Sequence, residues 1–105
     1  MADWVKVADV SECAGEGCVR AVTARGEAIV LGRWEDEIFA LEDCCSHEDF
    51  LLSEGTINDG RIECVLHGAM FDLRTGKAVR LPAVRPVKSY PVRIENGEIF
   101  VEVDS

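Results

Sequence analysis

The sequence predicts an all-β fold: an antiparallel β-sandwich or barrel base carrying a small inserted lobe. Three observations point there. The stretch "YPVRIENGEIFVEV" keeps apolar faces on both sides of Asn96-Gly97, the strongest short hairpin signal, because a type I′ turn needs positive φ at both central residues. The apolar runs "AIVLGRW" and "EIFAL" flank Glu35-Asp36 and read as a second hairpin. Between Asp43 and Leu73 the pattern changes: two Cys/His pairs, Gly55, Gly60 and Gly68, and few alternating runs.

Taken in order, the opening "MADWVKVADV" alternates from Trp4 on and has neither the basic nor the apolar region of a signal peptide. The Glu35-Asp36 hairpin follows. In the last hairpin a two-residue turn fixes the register: Ile94 faces Ile99 and Val92 faces Val101 on one side, and Arg93 faces Phe100 on the other. Helix signals are weak throughout. These readings place residues 1–42 and 74–105 in the base and 43–73 in the lobe, within a single domain spanning 1–105.

Composition narrows the function. With 20 Asp and Glu against 11 Lys and Arg, the net charge of −9 excludes nucleic-acid binding, which needs a basic face. It favours a partner with a positive docking surface. No run approaches the ~20 apolar residues of a membrane span, so a cytoplasmic protein without membrane attachment is expected, and it is expected to be a monomer. In that compartment an odd set of 5 cysteines reads as thiols or metal ligands rather than a disulfide framework.

Both of the chain's 2 histidines lie within three residues of a cysteine, in "EDCCSHED" and "ECVLHGAMFD". Cys64 and His67 form the second pair; His47 follows either Cys44 or Cys45 in the first. A Cys2His2 set suits tetrahedral zinc, or a [2Fe-2S] cluster with two cysteines on one iron and two histidines on the other. Zinc fingers usually pair like ligands locally. Here each local unit gives one cysteine and one histidine, which suits a binuclear centre spanning two loops. Cys13 and Cys18 have no nearby histidine and read as incidental thiols.

"CSH" at 45–47 followed by "CVLHGAMFD" at 64–72 resembles a Rieske-type ferredoxin of the kind serving multicomponent aromatic ring-hydroxylating dioxygenases. The resemblance extends through "LLSEGTINDGRIEC" and "TGKAVRLPAVRPVKSYPVRIENGEIFVEV", nearly the whole chain, and implies a Rieske-like fold. It implies one Rieske-type [2Fe-2S] cluster held by Cys45, His47, Cys64 and His67; on an extended segment adjacent side chains point to opposite faces, so Cys44 is expected to turn away into packing. It also implies electron transfer from a flavin-containing NAD(P)H-dependent reductase to a terminal oxygenase, with no substrate oxidation by this chain. Other recipients fit the same carrier role, such as a diiron monooxygenase or an iron–sulfur assembly system. The small subunit of an NADH-dependent nitrite reductase and a structural zinc module are further alternatives.

High-potential relatives carry a disulfide beside the cluster and a Ser and a Tyr that donate to its sulfurs. This chain has Phe50 and Leu66, Ala69 and Phe71 at those places. A potential near the lower end of the Rieske range, roughly −150 mV, is therefore expected. Phe50, Met70 and Leu81 are candidates for an apolar rim, and Gly68 for close backbone approach to the cluster. Glu42, Asp43, Glu48, Asp49 and Glu54 surround the first ligand pair and are expected to form an acidic docking face.

Overall fold

The computed structural model describes residues 2–44, 51–64, 69–80 and 85–104. Among them, four tight turns with positive φ at both central residues set half of the strand pairings. They are Arg25-Gly26 (53° and 81°), Glu35-Asp36 (52° and 63°), Asp59-Gly60 (55° and 74°) and Asn96-Gly97 (52° and 77°). Such turns match the right-handed twist of the strands they join, so each closes an antiparallel pair. The first links β2 (Val19–Ala24) to β3 (Glu27–Trp34), and the second links β3 to β4 (Glu37–Glu42). Asp59-Gly60 joins the short strands β5 (Thr56–Asn58) and β6 (Arg61–Glu63), a hairpin that the sequence reading did not single out.

Three antiparallel sheets result. With β1 (Ala2–Asp9), β7 (Met70–Asp72), β8 (Ala78–Arg80), β9 (Ser89–Tyr90), β10 (Val92–Glu95) and β11 (Glu98–Asp104), the strand orders are β1-β11-β10, β2-β3-β4-β9 and β5-β6-β7-β8. The only helical pieces among the described residues are 3₁₀ turns, Val10–Cys13 and Leu52–Glu54. No helix there is long and apolar enough to cross a membrane. The expected register of the last hairpin is the observed one, with Val92 opposite Val101, Arg93 opposite Phe100 and Ile94 opposite Ile99. Because β10 is an edge strand, Ile94 stays about half exposed (49%) although its partner Ile99 is buried.

The β2-β3-β4-β9 sheet is the middle layer, and strand parity divides its side chains between two cores. Ile29, Leu31, Ile38 and Ala40 pack with Ile99, Val101 and Val103 of the β1-β11-β10 sheet. Val30 and Leu41 face the other way and pack with Ile62, Phe71 and Leu73 of the third sheet and its flanking turn. Gly32 on β3 permits that second contact: a Cβ there would lie 2.8 Å from Ile57 Cδ1 and 3.0 Å from Leu73 Cδ2. Both ends of the chain thus build a two-sheet base, and the middle lays a third sheet on its far face. That third sheet includes β8 and so runs past residue 73 to Arg80.

Candidate metal centre

The second Cys/His pair grows out of a hairpin. Strands β6 and β7 run antiparallel with Glu63 opposite Met70. One residue further, the Cys64 N–H donates to the Ala69 carbonyl at 2.7 Å, which prolongs the ladder to the foot of the loop. Cys64 is buried (1% exposed) among Ala69, Phe71, Leu41 and Leu52. The cysteine therefore sits on rigid backbone in an apolar bed, and the side chains of Ala69 and Phe71 offer no hydrogen-bond donor there. His67 lies outside the described residues, as do Val65, Leu66 and Gly68.

The first pair follows β4. Here the Asp43 N–H donates to the Ala28 carbonyl on β3 at 3.0 Å, and the Cys44 N–H donates to the Glu42 carbonyl at 2.9 Å. The chain is described again from Leu51, just before the turn Leu52–Glu54, where the Ser53 N–H donates to Asp43 Oδ1 at 2.8 Å. Cys45, His47, Glu48, Asp49 and Phe50 fall between these feet, outside the described residues.

Two features bring the feet of the loops together. Leu52, Cys64 and Ala69 belong to a single buried cluster. Gly55 presses against the last residue of β6: a Cβ at 55 would collide with the Glu63 carbonyl oxygen. Of the four expected ligands the structure thus places Cys64, together with the feet of both loops. Among the described residues no group of three or more His, Cys, Asp or Glu side chains could hold a metal ion. A buried thiol at a backbone-closed foot, packed beside the returning foot of a segment whose sequence carries another Cys/His unit, suits a two-loop iron–sulfur centre.

The remaining cysteines lie elsewhere. Cys44 is half-buried and lines a cavity of about 180 Å³ with Glu27, Ala28, Glu42, Asp43 and Tyr90. Tyr90 donates its hydroxyl to Glu27 Oε1 at 2.8 Å; burial, and then this bond, raise its pKa. Cys13 is fully buried in the core on the opposite face of the middle sheet from Cys64. Burial, and next its contact with Cys18, push its thiol up to about 12. A thiol held protonated in this way is a poor metal ligand and a poor nucleophile.

One expectation is corrected. Asp43 was read as part of an acidic docking face, but it is only 3% exposed and its carboxyl is turned inward onto Ser53. It continues the parity of Phe39 and Leu41, the lobe-facing residues of β4, and that alternation is the signal that would have found it. Glu42 and Glu54 are exposed as expected. Of the rim candidates, Met70 is half-buried, and Phe50 and Leu81 lie outside the described residues.

Known proteins extend this picture to the whole chain. The profile of the Rieske [2Fe-2S] domain matches residues 3–91. The ferredoxin component of the naphthalene 1,2-dioxygenase system from Pseudomonas putida is 36% identical over 100 residues, covering 95% of each chain. The ferredoxin of carbazole 1,9a-dioxygenase from Nocardioides aromaticivorans IC177 superposes with a TM-score of 0.88 at 34% identity, covering 93% of this chain and 95% of that one. A chain in the complex of reduced oxygenase and oxidized ferredoxin in carbazole 1,9a-dioxygenase gives 0.86 at 34% identity, covering 93% and 91%. With its two Cys/His units and a match from end to end of stand-alone ferredoxins, this chain belongs to the Rieske [2Fe-2S] domain family.

Proposed function

We propose that the protein is the ferredoxin of an aromatic ring-hydroxylating dioxygenase system, carrying single electrons from a flavin-containing NAD(P)H-dependent reductase to the terminal oxygenase. The observation that carries this reading is the end-to-end correspondence with ferredoxin components of such systems. A related ferredoxin is seen in complex with its oxygenase. The cluster-binding residues in this proposal are Cys45, His47, Cys64 and His67. When bound, the cluster supplies one-electron redox chemistry. The chain's own part is to seat it on two loops over an apolar bed. Both histidines of the sequence are then used, and none is left for a mononuclear catalytic iron of the two-histidine, one-carboxylate kind. Substrate oxidation by this chain alone is therefore not part of the proposal.

The same reading divides the chain into a base (1–42 and 74–105) and a cluster-binding lobe (43–73) whose sheet continues through β8. Two measurements test it. Metal analysis and EPR of the dithionite-reduced protein should give two irons and two inorganic sulfides per chain with a Rieske-type spectrum; stoichiometric zinc without iron would sink it. The purified protein should oxidise no aromatic substrate by itself, yet restore turnover when added to a reductase and an oxygenase. Hydroxylation by the lone chain with a chemical reductant would overturn the carrier reading.

A further inference from the structure

The first ligand loop is closed by a side chain, and that side chain is the one buried charged residue among those described. Asp43 reaches both feet of the loop. Its backbone N–H is bonded to Ala28 in the rigid middle sheet, and its Oδ1 receives the Ser53 N–H on the far side of residues 45–50. Without that carboxyl, the returning foot would keep its own turn bonds, Glu54 N–H to the Leu51 carbonyl and Gly55 N–H to the Leu52 carbonyl, the burial of Leu52 and the close fit of Gly55 against Glu63. Those contacts fix the turn to the lobe's core. Leu52 shares its cluster with Leu41 of β4, so apolar packing reaches the strand from which Cys45 and His47 depart, but it is the Asp43 carboxyl that adds a directional bond between the two feet.

We propose that Asp43 is a positioning residue for the cluster: it fixes the spacing of the two feet of the first ligand loop, and so the placement of Cys45 and His47 relative to the base. This rests on the ligand assignment proposed above. A short bond from a backbone N–H to a carboxyl oxygen is among the stronger hydrogen bonds available, and a loop with one foot released has more conformations in which its ligands miss the metal. Because the bond comes from the backbone of Ser53, the Ser53 side chain is dispensable to it, and an amide oxygen at position 43 can replace the carboxylate.

The test compares native protein with Asp43→Ala, Asp43→Asn and Ser53→Ala, reading the EPR g-values, the reduction potential and the rate at which visible absorbance is lost under a chelator. Asp43→Ala should lose its cluster roughly tenfold faster, from the worth of one such bond, with shifted g-values. Asp43→Asn and Ser53→Ala should keep native g-values and loss rates within about threefold of native. Native behaviour of Asp43→Ala overturns the proposal. So does an Asp43→Asn protein as labile as the alanine variant, since charge and not the clamp would then be at work. If Asp43→Ala does not fold, Asp43→Asn and Ser53→Ala decide the matter alone. A native protein without a Rieske-type spectrum would refute the ligand assignment instead, so the two failures are distinguishable.

Discussion

The two proposed ligand loops solve one problem by different means. The loop after Cys64 is an extension of a β-hairpin, closed by a backbone bond from Cys64 to Ala69 that no substitution except proline at 64 removes. The loop after Cys44 leaves one sheet and returns in a 3₁₀ turn, and its crossing bond is made by a side chain, Asp43. Backbone closure is robust and indifferent to side-chain chemistry. Side-chain closure can join elements that share no ladder, but a single substitution opens it. Charge divides the loops in the same way: Glu42, Glu48, Asp49 and Glu54 belong to the first, whereas residues 64–69 contain no Asp, Glu, Lys or Arg.

The largest expected effect separates ligand from neighbour within the first loop. Cys45→Ser should lose or badly perturb the visible spectrum, as should Cys64→Ser in the second. Cys44→Ser should retain it, because Cys44 lines a cavity with Tyr90 and Glu42 at the margin of the middle sheet. Loss of the spectrum in Cys44→Ser with retention in Cys45→Ser would shift the first loop's register by one residue. It would also remove the alignment with the ferredoxins over that loop.

A smaller effect is expected from the foot of the second loop. Ala69 and Phe71 are both fully buried beside Cys64, and neither side chain can donate a hydrogen bond. Adding a hydroxyl by Ala69→Ser should stabilise the reduced cluster through a bond to a ligand or cluster sulfur. One hydrogen bond of about 1 kcal/mol corresponds to a potential raised by roughly 40 mV for one electron. Protein-film voltammetry would read it. An unchanged or lower potential would mean that the hydroxyl bonds elsewhere, and that the loop does not bring this face to the cluster.

The base was more legible in the sequence than the lobe, and the reasons are local. Asn96-Gly97 and Glu35-Asp36 sit between apolar runs long enough to fix a register, so both turn and pairing follow from the residues. Asp59-Gly60 is an equally good turn signal, but the strands it joins, "TIN" and "RIE", are too short to show alternation. The ligand spacing was plain because histidine is scarce in this chain. The choice of Cys45 over Cys44 came from the family resemblance, not from the pattern. Asp43 was misjudged because an aspartate in an acidic stretch reads as surface; its burial depends on Ser53, which contacts it only in the folded chain.

The smallest expected effect concerns the charge difference between the loops. With Asp43 turned inward, the surface carboxylates of the first loop reduce to Glu42 and Glu54, both exposed, with Glu48 and Asp49 between them in sequence. Glu42 Oε1 also accepts the Lys88 N–H at 3.2 Å, so part of its capacity is engaged within the fold. The proposed docking charge therefore falls mainly on Glu48 and Asp49, the residues that follow His47. A reductase or oxygenase presenting Lys and Arg would be steered to this face, with on-rates raised by ~10–10³ at low salt. At ~0.15 M ionic strength the screening length is about 8 Å, so part of the gain persists. The second-order rate of electron transfer, measured across a salt series, should fall with salt for the native protein. Glu48→Gln/Asp49→Asn should start lower and fall less steeply. Glu63→Gln, at the foot of the uncharged loop and half-buried, should leave the slope as it is. Equal slopes for the native protein and the double variant would mean that partners do not dock on the first loop. A slope flattened equally by Glu63→Gln would mean that net charge, not this face, steers them.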